Sequence, residues 1–258
     1  MKYYLFQTMI LFIAASCSTK GTDCLNCEYT LGAITRADTS RRELALVFTG
    51  DEFADGADTI ISKISDKNVQ ASFFFTGRYY RNTSFKNHIE QLVKAGHYLG
   101  AHSNDHLLYC DWGNRDSLLV TKEEFIIDLE RNYYEMERFG VERREAKYFL
   151  PPYEWYNETI SEWTRDIDLR LINYTYGTLS HADYTTPGMP GYRSSEAIFD
   201  SIREYEEANG LNGFILLMHI GTDPARTDKL YNRLDELIDY LHERNYKLVR
   251  IDELLETK

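Results

Sequence analysis

Two histidines, His102 and His106, stand four positions apart. One helical turn carries both imidazoles to one side, where they can grip a single cation. Asp51, from a distant part of the chain, offers a hard carboxylate oxygen. A carboxylate and two imidazoles with positions left open can hold zinc, or a harder divalent ion, and polarise a water for attack on a carbonyl. His219 is a further imidazole, suited to protonating a leaving group. Each reading has a plain rival: a histidine pair packed for structure, and a core histidine bonded to a backbone carbonyl.

Such residues need a scaffold that collects them. From residue 43 onward, short apolar runs alternate with helical patterns. The runs cover 44–49, 71–76, 98–102, 147–149, 169–175, 213–219 and 246–251. Several are β-branched or aromatic and nearly continuous, as strands buried on both faces should be. Thr121 and Glu124 form a capping box that opens a helix with Phe125, Leu129, Tyr133 and Met136 on one stripe. Further helices fit 56–64, 85–95, 157–166, 195–209 and 229–244. Strand–helix alternation predicts an α/β fold with about seven parallel strands, either open or closed. In such folds ligands sit at the carboxyl ends of the strands. Asp51, His102, His106, the segment Pro151-Pro152-Tyr153-Glu154, Asp183 and His219 all fall just past predicted strands, so they gather on one rim.

This rim resembles the polysaccharide deacetylase family of carbohydrate esterases over about residues 43–250. Gly96-His97, Gly100 and His102-Ser103 followed by His106 are similar to that family's histidine metal motif. Phe149-Leu150-Pro151-Pro152-Tyr153 resembles its F-R-P-P-Y segment, Leu217-Met218-His219 its late L-x-H, and Asp51 the second Asp of its T-F-D-D. The resemblance implies a distorted, TIM-barrel-like (β/α) barrel and one divalent metal held by Asp51, His102 and His106. Zinc is the expected ion, with cobalt, nickel or manganese as alternatives. It also implies hydrolysis of N- or O-acetyl groups on a glycan, with Pro152, Tyr153 and Glu154 binding substrate and the Tyr153 N–H steadying the oxyanion. By the same likeness His219 is the catalytic acid, oriented by Asp183.

The family's general base is the first Asp of its pair, where this register places Gly50, and the family's Arg partner to that base is here Leu150. The two departures fit one another, because an Arg without its carboxylate would be an unpaired charge. An ungapped register instead puts Thr49 and Gly50 at the Asp pair and leaves no metal carboxylate at all. Glu52, Glu154 and Asp183 are the other carboxylates that could take the proton. The alternative function is a glycan-binding lipoprotein with an inactive site, stacking sugar on Tyr153, Trp155, Tyr156 and Tyr184.

The first 16 residues combine Lys2, an apolar run and Ala14-Ala15-Ser16 before Cys17, the pattern of a secretory signal peptide. Small residues before Cys17 resemble the bacterial lipobox. This implies lipidation of Cys17, a membrane anchor at the cell envelope and a polar tether over 17–42 before a catalytic domain at 43–258. Cys24 and Cys27 can pair in an oxidising compartment, leaving Cys110 as a buried free thiol. The net charge of −12 over 258 residues argues against a phosphate-gripping nucleic-acid binder. Tyr, Phe and Trp make up 14% of the chain, a supply that serves packing and sugar-lined clefts alike.

Overall fold

The computed structural model describes residue 24 and residues 26–256. The predicted signal peptide and Cys17 lie outside the described residues. In chain order the elements are β1 (Glu28–Thr30), β2 (Ala33–Arg36), β3 (Glu43–Gly50), α1 (Ala57–Asp66), β4 (Ser72–Phe75), α2 (Gly77–Arg81), α3 (Lys86–Lys94), β5 (Tyr98–Ala101), α4 (Lys122–Glu137), β6 (Tyr148–Phe149), α5 (Glu158–Asp166), β7 (Arg170–Leu171), α6 (Ser195–Asn209), β8 (Phe214–His219), α7 (Leu234–Glu243), β9 (Lys247–Leu248) and α8 (Ile251–Leu255). Every run predicted as a strand contains one of β3–β9.

β3 to β9 form one parallel sheet in the order β7-β6-β5-β4-β3-β8, with β9 paired to the first two residues of β3. The sheet curls into a half-barrel. Strand alternation separates its two faces. Leu44, Leu46 and Phe48 of β3 join the apolar layer beneath the helices. Ala45 and Val47 face the barrel interior with Phe74, Leu150, Ile172 and Leu217. Helix stripes cover the outer layer. α4 begins at the predicted capping box, with Thr121 Oγ1 accepting from the Glu124 N–H at 3.2 Å and Glu124 Oε2 accepting from the Thr121 N–H at 2.7 Å.

One boundary differs from expectation. Residues 28–36, read from sequence as tether, form the antiparallel hairpin β1–β2 and belong to the folded unit. Ile34 bridges Ile172 beside β7, the Asn173 N–H donates to Ile34 O at 2.9 Å, and Thr175 Oγ1 donates to Thr35 O at 2.5 Å. Arg36 donates to Asn212 O and Gly210 O ahead of β8. The hairpin thus fills the gap between β7 and β8. Two three- and four-residue strands turning at Gly32 (φ +80°) leave too little alternation to detect in sequence. Cys24 and Cys27 are disulfide-bonded, and Cys110 is a buried free thiol whose pKa is pushed up to about 11 by burial.

Candidate active site

The mouth of the barrel is assembled from the loops that follow β3, β4, β5, β6, β7 and β8. The loop after β5 carries both histidines and has left-handed backbone at Ser103 (φ 72°) and His106 (φ 54°). α4 holds this loop from below. Asp128 accepts from Ser103 Oγ at 2.7 Å, from the Asn104 N–H at 2.9 Å and from the Asp105 N–H at 3.0 Å. Asn132 accepts from the His102 N–H at 2.9 Å and donates to Phe75 O at 3.2 Å, tying the loop to β4. Burial raises the Asp128 pKa against the pull of these donors.

His102 Nδ1 lies 2.8 Å from Leu150 O, which fixes the tautomer with Nδ1 protonated and leaves Nε2 as the electron-pair donor. The two imidazole centroids are 5.1 Å apart. Burial pulls both pKa values down to about 3, so both rings are neutral and able to coordinate. Asp51 Oδ2 stands 3.8 Å from His106 Nδ1. The structure therefore brings Asp51, His102 and His106 to one place, and their donor set fits a divalent cation.

The carboxylate is already engaged, however. Arg78 Nε donates to Asp51 Oδ1 at 3.0 Å and Nη2 to Oδ2 at 2.6 Å, while Thr76 Oγ1 donates to Oδ1 at 2.8 Å. Among the described residues no three His, Cys, Asp or Glu side chains stand in ligand geometry. A metal bound there would compete with Arg78 and Thr76 for the Asp51 lone pairs. Gly77 sets this arrangement: its N–H donates to Ser103 O at 3.1 Å, and a Cβ there would lie 2.0 Å from Asn104 Oδ1. A larger residue at 77 would have to displace the Asn104 and Arg81 side chains, so glycine suits the close approach of α2 to the histidine loop that sets Arg78 beside it.

Across the mouth, His219 Nδ1 is 2.6 Å from Asp183 Oδ1, and Asp183 Oδ2 accepts the His219 N–H at 3.0 Å. Burial pulls the His219 pKa down, but Asp183, by charge and hydrogen bond, and Glu154 together outweigh it, and the net shift is upward. Glu154 sits on this side of the mouth. Burial, opposed by His219 and reinforced by Asp183, pushes its carboxyl up to about 7. Tyr153 and Glu154 both take left-handed backbone, at φ 59° and 52°, after Pro152 opens a short 3₁₀ turn. The Tyr153 ring rests 4.3 Å from His106, and Tyr184 lies 5.1 Å from His219. Tyr156 is buried and bonded to Thr30 O, so it is a packing residue and does not face the cleft. His97 is structural too: its Nδ1 accepts from the Ala71 N–H at 3.1 Å.

The placement of the expected base position needs correcting. Gly50 follows Leu46 and Phe48 on the helix-facing side of β3, and a Cβ on it would meet Ile220 Cγ2 at 2.7 Å and Phe75 Cδ1 at 2.8 Å. No side chain at 50 could reach the cleft. The interior position is Thr49, in register with His219. Its hydroxyl is buried and has no hydrogen-bond partner among the described residues. With Leu150 also interior, neither interior side chain at these two positions is a carboxylate. Sequence reading also missed Arg78, Asp128 and Asn132. The last two were within reach, since polar residues at 128 and 132 interrupt the core-facing stripe of α4.

A surface concavity of about 590 Å³ lined by Arg36, Arg42, Glu206 and Tyr246 lies at the opposite, amino end of the strands, away from these groups.

A curled parallel barrel with polar groups on its carboxyl rim matches a known class. The family model described as polysaccharide deacetylase matches residues 36–172, and the chain belongs to that family. It is 20% identical over 221 residues to a peptidoglycan-N-acetylglucosamine deacetylase of Bacillus cereus, covering 84% of this chain and 70% of the relative. Among solved structures it resembles a CE4 family pseudoenzyme from Bacillus anthracis, with TM-score 0.68 and 18% identity over 88% of this chain and 70% of the other. It also resembles an acetyl xylan esterase from Clostridium thermocellum in complex with a cobalt ion, with TM-score 0.64 and 20% identity over 82% and 89% of the two chains.

Proposed function

We propose that this protein is an exported, metal-dependent hydrolase that removes N- or O-acetyl groups from a polysaccharide or oligosaccharide. The observation that carries this reading is the Asp183–His219 pair, which faces the two neutral imidazoles across one cleft. A divalent cation on Asp51, His102 and His106, zinc by preference, would supply Lewis acidity toward the acetyl carbonyl and lower the pKa of water. His219, kept protonated by Asp183, donates its Nε2 proton to the departing amine or alkoxide. The Tyr153 N–H, second in its turn and so without an intrahelical acceptor, is available to the oxyanion. Glu154, beside His219 and Asp183 with its carboxyl pushed up to about 7 by burial, is the carboxylate assigned to take the proton from water.

The test is acetate release from acetylated xylan, chitin oligomers and peptidoglycan fragments by metal-loaded protein. An output no greater than that of Asp51→Ala would end the hydrolase reading. The second reading, a glycan-binding lipoprotein without turnover, draws on the Arg78 fork and on the Thr49 and Leu150 pair. Saturable calorimetric binding that survives chelation, with no acetate released, favours it. In both readings Cys17 carries the lipid and the domain works at the cell envelope. Mass spectrometry of the membrane-extracted N-terminal peptide checks that modification.

A further inference from the structure

Beside the cleft, the loop after β5 presents Trp112 to solvent with 57% of its surface exposed. A single exposed apolar ring needs no explanation, but Trp112 adjoins the exposed Tyr153, and contiguous exposed apolar surface marks recognition sites. The loop beneath it is fixed. Asp111 Oδ1 accepts from the Gly113 and Asn114 N–H groups at 2.8 and 2.9 Å, and the Asp111 N–H donates to Ser117 O at 2.9 Å. Trp155 Nε1 donates to Asp111 O at 3.3 Å, and Asn157 Nδ2 to Arg115 O at 3.0 Å. Trp112 meets Trp155 at 5.3 Å and Tyr153 at 5.6 Å, and the Arg115 guanidinium lies 3.5 Å over the Trp155 ring. Tyr153, 44% exposed, is the link to the site, because the same ring touches His106.

We infer that Trp112, with Tyr153, forms a sugar-stacking platform for a glycan ring beyond the one whose acetyl group enters the cleft. The occupant is a pyranose of the same chain, and the platform selects polymers over short fragments. A pyranose matches an aromatic platform because its axial C–H face is apolar while its rim hydroxyls stay in water. The platform is continuous with the cleft through Tyr153, and its backbone is already ordered, so little entropy is lost on binding. This inference rests on the glycan reading above, but not on turnover.

The experiment uses the full chain with acetylated chitin oligomers of two to six sugars. Affinity is measured by calorimetry, and acetate is scored in the same samples. Wild-type affinity is expected to rise with length, and Trp112→Ala to lose about tenfold for the longest oligomers and little for the dimer. Trp112→Phe should retain most of the affinity, and 4-nitrophenyl acetate turnover should not change. Tryptophan emission should shift blue on binding in wild type and not in Trp112→Phe. Equal affinities for wild type and Trp112→Ala at every length, or no oligomer binding by wild type, would overturn the platform. Absence of acetate with intact length-dependent binding would count against the hydrolase alone and leave the platform standing.

Discussion

Arg78 holds both carboxylate oxygens of Asp51, at 3.0 and 2.6 Å, within a residue cluster whose donors suit a cation. The guanidinium puts a positive charge next to the proposed metal position and occupies lone pairs that a metal needs. It is 40% exposed, so it can swing out, and its hold on Asp51 is screened by solvent.

Arg78→Gln is therefore expected to tighten cobalt(II) binding, by on the order of tenfold. Visible absorption of the cobalt complex reads this directly, without a substrate. Weaker binding in Arg78→Gln would show that the guanidinium supports the site instead of competing for it.

The pH profile should report on Asp183. His219 is faced by Asp183, Glu154, Arg226 and the imidazoles of His102, His106 and His181. Asp183 favours the imidazolium, so its neutralisation lowers the His219 pKa. A proton donor is lost as pH rises through its pKa. The alkaline limb of kcat/KM in Asp183→Asn should then fall at lower pH, by about one unit or more. An unmoved limb with reduced kcat would assign Asp183 a purely structural role.

Asp128 bears on both stability and the site. It satisfies three donors of the strained histidine loop, and removing it leaves the buried Asn104 N–H and the part-buried Asp105 N–H unpaired. Asp128→Ala should cost about 2–4 kcal/mol in urea denaturation. It should also weaken cobalt binding, because His102 and His106 lose their support. Loss of stability with cobalt affinity intact would place the loop's rigidity elsewhere, in Asn132 and the Gly77 contact.

The interior position at the mouth of β3 makes a sharper demand. Gly50→Asp should overpack Phe75 and Ile220 and bury an unpaired carboxylate, destabilising by about 3 kcal/mol or more without added activity. Thr49→Asp with Leu150→Arg places a carboxylate and its partner on the interior face and is expected to raise acetate release. If Gly50→Asp gained activity and the double variant did not, the facing of β3 would be misassigned.

The seven strands and most helices were legible because two-face burial and 3.6-residue stripes leave strong local patterns. The positions of Asp51, His102, His106 and His219 on one rim followed from the rule that parallel strands present their carboxyl ends together. Facing was harder to read. Thr49 and Gly50 are adjacent, and a single-residue slip exchanges cleft for helix layer. Contacts between distant segments left no local trace at all: the approach of Gly77 to Asn104 brings Arg78 to Asp51 across 27 residues of chain. The hairpin at 28–36 was hidden for a similar reason, since its strands gain their burial only from β7 and β8.

That hairpin has a mechanical meaning. Ile34, Ala37 and Cys24 share the barrel-interior cluster with Ile251, Leu254 and Leu255 of α8, so both ends of the described chain stopper the same hollow. A protein begun at residue 43 would lose half of that stopper and admit water to Ile172 and Ile215. The hairpin's bond to Asn173 also reaches the rim, because Asn173 Nδ2 donates to Glu154 O at 3.2 Å, so a load on the hairpin is felt where Glu154 stands.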